Sequence, residues 1–266
     1  MHPLWATALI YLMALVWLVA LRPGAWRGFV EHPGLWILLI ASGLTNIGFN
    51  WAVTVGDVVR VVLLFYLMPA WVVLLAWPLL GEKPTVASLL RLALALVGVV
   101  IVLKTPESPW PWPNNLADGL ALMGGFCFAL TNIMLRRLRE APSNASMLAM
   151  FGGGAAMAGL AALLGQEHGI VGTLPPLAPG WLAWVGVLSA CFLVGNLGLQ
   201  YGAARLSASA TSIIMLSEVV FASTSAVLLG AGELGARVVL GGALIFLASL
   251  LSTVSFAQAA KPSGAA

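Results

Sequence analysis

Leu206–Gly230 reads LSASATSIIMLSEVVFASTSAVLLG. The run is almost wholly apolar and carries one carboxylate, Glu218, near its midpoint. About 20 residues of helix cover the hydrocarbon core of a bilayer, so the run reads as a membrane-spanning helix. An acid at the centre of such a helix costs roughly 2.5–3.5 kcal/mol on insertion scales, which turns it away from lipid and toward a cavity or a partner. Thr211, Ser212, Ser217 and Ser225 add hydroxyls to the same helix. Two readings of Glu218 follow: a hydrogen bond that braces a neighbouring helix, or a substrate or proton site inside a bundle.

Composition excludes an ordinary soluble domain. Hydrophobic residues make up 61% of the chain and charged residues 8%, where soluble domains carry about 25% charged residues. Mean hydropathy is +1.02. A net charge of +3 would hint at nucleic acid in a soluble chain, but here the basic residues sit in short loops between apolar runs and set topology instead. Cys127 and Cys191 lie inside apolar runs and read as small buried hydrophobes. His2, His32 and His168 lie at the terminus or in loops, so there is no histidine cluster for a metal and no nucleophile–histidine set. Neither H-E-x-x-H nor G-x-x-x-x-G-K-[ST] occurs. The expectation is therefore no enzyme, no metal, no cofactor, and no transport driven by the chain's own ATP hydrolysis.

The same length rule marks nine apolar spans: 3–21, 34–55, 58–80, 86–104, 116–135, 145–165, 179–203, 206–230 and 236–256. Thr105–Asn115 is Pro-rich, and its Trp110 and Trp112 suit a membrane–water interface. It reads as a linker, 105–115, between a first unit, 1–104, and a second, 116–257, with a tail at 258–266. Placing the C-terminus in the cytoplasm gives that side Arg22, Arg27, Lys83, Arg136, Arg137, Arg139, Arg205 and Lys261. The outside then holds only Arg60, Lys104 and Arg237, which favours this orientation. It leaves an N-terminus outside with no Lys or Arg in residues 1–5 and no signal-peptide pattern. A further helix ahead of this chain is expected.

An internal repeat points the same way. Shifted by about 150 residues, Asn46-Ile-Gly-Phe-Asn-Trp falls on Asn196-Leu-Gly-Leu-Gln-Tyr. Span lengths and loop positions follow the same shift, and the span at 116–135 has its counterpart before residue 1. The expected architecture is an all-α polytopic bundle of two five-helix repeats with the first helix absent here. An odd number of helices per repeat inverts one copy relative to the other, an arrangement in which transporters place a midplane site.

Several residues qualify for that site. Asn46 and Asn50 are i,i+4 neighbours, as are Asn196 and Gln200. Side-chain amides both donate and accept, so they can hold both ends of a zwitterion or bond between helices. Trp51, Tyr66 and Tyr201 could wall a cavity or pack as core. Pro69 interrupts its span, and Met68 is the counterpart of Glu218, so a kink and a carboxylate fall at equal depth. Asp57, Arg60 and Asp118 lie at outer helix ends, as a gate or a solvated rim. Arg91 can snorkel. Gly124-Gly125, Gly152-Gly153-Gly154 and Gly241-Gly242 read as close-approach faces.

Taken together, the chain resembles the drug/metabolite transporter superfamily, specifically EamA-type permeases. Leu80-Gly81-Glu82-Lys83-Pro84 after Pro69-Ala70-Trp71, and Gly230-Ala231-Gly232-Glu233 after Leu216-Ser217-Glu218, carry the resemblance. It implies ten helices in two inverted repeats that export small metabolites such as amino acids across a bacterial inner membrane. Val219 stands where a proline often follows the glutamate in such proteins. The expected partners are a small-molecule substrate and the lipid bilayer, with no nucleic acid; protons and a homodimer stay open. A sugar-phosphate or nucleotide-sugar antiporter is the alternative, disfavoured because only Arg91 and Arg60 lie in spans, and a non-transporting scaffold is the alternative of another class.

Overall fold

A computed structural model describes residues 1–103, 113–174, 176, 178–228 and 235–259. Among them the chain is all helical. The helices are α1 (Pro3–Leu21), α2 (Gly28–Glu31), α3 (Gly34–Val55), α4 (Val58–Phe65), α5 (Met68–Leu80) and α6 (Val86–Leu103). They continue as α7 (Leu116–Arg137), α8 (Ser143–Glu167), α9 (Pro179–Arg205), α10 (Ala208–Met215), α11 (Glu218–Leu228) and α12 (Ala236–Ala259). The expected spans are present with boundaries shifted by a few residues. Lys104, Trp110, Trp112, Gly232-Glu233 and Lys261 lie outside the described residues, as do 105–112 of the expected linker and most of the tail.

Helix starts are set by side chains that accept the free N–H groups of a first turn. Asp57 accepts the Arg60 N–H at 2.8 Å, Asn115 the Asp118 N–H at 2.9 Å and Ser207 the Ala210 N–H at 3.2 Å. Asp57 and Ser207 are equivalent under the 150-residue shift. So are α4 and α10, α5 and α11, and the starts of α6 and α12. The repeat is therefore written in element boundaries more clearly than in residue identities.

Two expected spans are each split. Residues 58–80 form α4 and α5, and 206–230 form α10 and α11. At the first break Pro69 has no N–H to give the Phe65 carbonyl. The chain tightens there, with Leu67 N–H on Leu64 O at 3.3 Å and Ala70 N–H on Leu67 O at 2.9 Å. The second break has the same form without a proline: Leu216 N–H meets Ile213 O and Val219 N–H meets Leu216 O, both at 3.1 Å. Val219 in place of a proline does not restore a straight helix.

Close approach holds the bundle together where lipid offers no hydrophobic drive. A Cβ on Gly48 would stand 2.7 Å from the Leu120 carbonyl and 2.8 Å from Gly124 Cα, so α3 and α7 touch backbone to backbone. Gly125 abuts the Phe65 carbonyl that Pro69 leaves free, at 2.7 Å from a built Cβ. Gly98 and Gly241 meet reciprocally, at 2.7 and 2.6 Å from each other's carbonyl, where α6 crosses α12. Gly153 packs on the Leu39 carbonyl and Gly154 on the Tyr11 ring. The pairs α1 with α8 and α6 with α12 each join a helix to its own counterpart under the 150-residue shift.

Helix α7 is the central strut. Its apolar window is 61% buried, against 11% for α9. Near one end the Asp118 carboxylate, fully buried, takes Arg60 Nε at 2.7 Å and Nη2 at 2.8 Å. Near the other end Arg136 Nε reaches Glu82 at 3.4 Å while Nη1 donates to the Ala204 carbonyl at 2.6 Å. Gly81, left-handed at φ 71°, turns the chain so that Glu82 points back, and its other oxygen accepts the Ala208 N–H at 3.1 Å. The Gly-Glu pair behind the family resemblance thus ties α5, α7 and the α9–α10 corner at one face. Arg91, at the same end of the bundle, donates to the Leu251 carbonyl of α12 at 3.0 Å.

The α3–α7 contact supplies a matched test. Gly48→Ala is expected to lower the thermal unfolding midpoint in detergent, since overpacking typically costs about 1–3 kcal/mol. Gly198→Ala, at the equivalent position on α9 where an added Cβ meets nothing within 4 Å, is expected to leave it unchanged. Equal shifts for the two variants would contradict the backbone contact at Gly48.

Candidate functional site

The two broken spans meet a chamber at the middle of the bundle. It consists of two adjoining cavities of about 460 and 340 Å³ that share Tyr11, Ser42, Asn46, Phe128, Met150 and Phe192 as a common wall. Glu218, the first residue of α11, lines the second cavity together with Tyr66 and Met68 from the first break. Placing the acid at a helix start sets it beside the positive end of the α11 dipole. Its carboxylate is exposed to the chamber and has no hydrogen bond or ion pair among the described residues.

Asn46, Asn50 and Asn196 line the same space, and Gln200 joins them through Asn196. Asn46 Nδ2 donates to the Ser42 carbonyl at 2.8 Å and Asn50 Nδ2 to Thr7 Oγ1 at 3.0 Å. Ser42 Oγ donates to the Met150 carbonyl at 3.3 Å, and Asn196 Nδ2 to the Met150 sulfur at 3.4 Å. Asn196 Oδ1 accepts Gln200 Nε2 at 2.6 Å, and Gln200 Oε1 accepts the Ser143 hydroxyl at 2.7 Å. Around these groups stand rings packed edge to face: Tyr11 with Phe151 at 5.2 Å and with Phe192 at 5.6 Å, and Phe49 with Phe65 at 4.8 Å. An aromatic box with amides and one acid, and no Lys or Arg in its lining, suits an apolar or zwitterionic body with an ammonium group.

The structure brings together Glu218, Asn46, Asn50, Asn196 and Tyr66 around this chamber. Three other candidates stand elsewhere. Trp51 packs with Leu4, Ala161 and Val171 between α1 and α8. Tyr201 is 63% exposed and lies under the Arg205 guanidinium, 3.6 Å from its ring centre. Gln200 faces a separate pocket with Tyr201 and Arg205, although its amide still reaches Asn196. Pro69 makes the first break, as expected from its missing N–H, and is itself buried behind Met68. Arg60 and Asp118 form a pair, joined by Asn114 Oδ1 at 3.1 Å from Arg60 Nη2, while Asp57 is spent on the α4 cap.

Much of the wall comes from residues outside the expected set. Tyr11 and Thr7 come from α1, Phe128 from α7 and Met150 from α8, helices that carry none of the residues expected at the midplane site. One signal was available: Ser42 extends the i,i+4 series of Asn46 and Asn50 by a turn. Tyr11, the single hydroxyl-bearing aromatic of the first span, was another.

No curated protein matches the chain. A solved crystal structure of a protein 19% identical matches with a TM-score of 0.78 over 97% of this chain and 90% of that one, a likeness of fold alone. The EamA-like transporter family matches residues 1–104 and 115–254. The chain, a multi-pass membrane transporter of the drug/metabolite type, belongs to the EamA-like transporter family.

Proposed function

We propose that the protein is a secondary exporter of small ammonium-bearing metabolites, amino acids among them, working by alternating access around the chamber at Glu218. The unpartnered carboxylate at the break between α10 and α11 carries this reading. A lone acid in a low-dielectric chamber is costly unless a cation answers it. A substrate ammonium does so, with Asn46, Asn50 and Asn196 for its polar groups and the rings of Tyr11, Phe128 and Phe192 for its body. Protons are the other cation that Glu218 can accept, and exchange of the two would couple transport to a proton gradient.

The moving units of this proposal are 1–104 and 116–257, joined by 105–115, in an inner membrane with the C-terminus in the cytoplasm. Arg60–Asp118 on one face and Glu82–Arg136 on the other join these units. The first pair is the outer gate in this reading.

In proteoliposomes, Glu218→Gln is expected to lower amine-substrate transport about tenfold or more, because a hydrogen bond to a charged group is worth roughly 1.5–3 kcal/mol. Unchanged rate and unchanged response to a pH gradient would remove Glu218 from the mechanism. Preferential transport of organic phosphates would move the protein to the antiporter branch instead.

The gate has its own test. In a background with Cys127→Ala and Cys191→Ala, Arg60→Cys and Asp118→Cys joined by a short cleavable thiol cross-linker are expected to stop uptake, and cleavage to restore it. Full uptake with the link in place would make the pair a static brace.

A further inference from the structure

At the end of the bundle that carries Glu82 and Arg136 there is a pocket apart from the central chamber. It lies between the α7–α8 turn and the last turns of α9 and encloses about 350 Å³. Its polar side is Arg139, Arg205, Ser143 and Gln200, and its apolar side is Leu135, Leu138 and Leu197. We infer that this pocket binds the phosphate of an anionic organic phosphate, with a phospholipid head group and a soluble phosphate ester as the two sources of that chemistry.

Arg205 is held in place for this task. Its guanidinium lies 3.6 Å from the Tyr201 ring centre and gives one N–H to the Tyr201 carbonyl at 3.3 Å. Its other N–H groups have no partner among the described residues. Stacking of this kind orients the planar fork without using up its donors. Among the described residues Arg139 is engaged only by Glu140, at 3.2 Å, in a pair whose side chains are 54% and 84% exposed. Such a pair contributes little, so a phosphate can compete for the guanidinium. A carboxylate would satisfy one arginine, whereas the tetrahedral phosphate offers oxygens to two at once.

Two further features face the same pocket. Helix α8 begins there at Ser143, runs 25 residues and has no side-chain cap, so its positive end points at the site. Tyr201, half apolar and 63% exposed, suits the level of the head groups, and Leu197 beside it is 49% exposed. Basic pockets between spanning helices on the cytoplasmic side are where anionic head groups settle. The site is independent of the Glu218 reading, since no residue of it touches that carboxylate.

The test is native mass spectrometry of the full chain in detergent with phosphatidylglycerol and phosphatidylcholine. The wild type is expected to retain phosphatidylglycerol preferentially. Each arginine removed, as Arg139→Gln or Arg205→Gln, is expected to cost about five-fold, the worth of one basic side chain near an anionic surface. An unchanged thermal midpoint certifies the fold of each variant, and Arg139→Gln alone, at an exposed position, serves if Arg205→Gln does not fold. Displacement of the lipid by glycerol 3-phosphate assigns the site to a soluble ester, and resistance to it assigns the site to lipid. The inference is overturned if the variants keep the wild-type preference, or if the wild type shows no lipid preference and no stabilisation by glycerol 3-phosphate.

Discussion

A backbone ladder interrupted inside a bilayer is the constraint on which this structure turns. Hydrocarbon supplies no donor or acceptor, so an open N–H or carbonyl at that depth must find protein or line a cavity. The breaks at 66–67 and 216–217 meet this demand in two ways. Part of the cost is removed by i→i−3 bonds that shorten the gap. The rest is met by surroundings: Gly125 comes up against the Phe65 carbonyl, and Glu218 opens onto the chamber. Where the helix is broken, the site follows.

That demand also explains why α7 is so rich in small residues on its inner side. A side chain at Gly124 or Gly125 would push α7 away from α3 and from the first break together. The strut would then lose its hold on both ends, where Asp118 and Arg136 pair with Arg60 and Glu82. On α9, the counterpart of α3, Gly195, Gly198 and Gly202 have open space beside them where Gly48 of α3 meets α7. The described residues thus repeat the elements of the fold without repeating every contact.

How far the sequence could be read depends on which kind of signal was asked for. Span positions were legible because length and apolarity set them, and the break at Pro69 because a missing N–H is visible in one letter. The break at 216–217 was not, since Leu216, Ser217 and Val219 carry no such mark; only the repeat implied it. Helix facing was the weakest signal. Along α9 apolar residues occur on every side, so nothing in the sequence separated Asn196, which lines the chamber, from Tyr201, which lies outside it. Trp51 and Tyr11 show the same limit: the first packs against α1 and α8, and the second, unmarked by any partner in sequence, stands at the centre.

The two halves also distribute their polar contacts in a related way. Asn50 receives the start of α1 through Thr7, and Gln200 receives the start of α8 through Ser143. These helices are counterparts, and the inversion puts one contact toward each end of the bundle. Between them Asn46 and Asn196 sit at matching depth with Met150 as a common neighbour. The carboxylate of Glu218 is carried by one half only. The frame is thus nearly repeated between the halves while the charge is not: Met68, the counterpart of Glu218, lines the same cavity without a carboxylate.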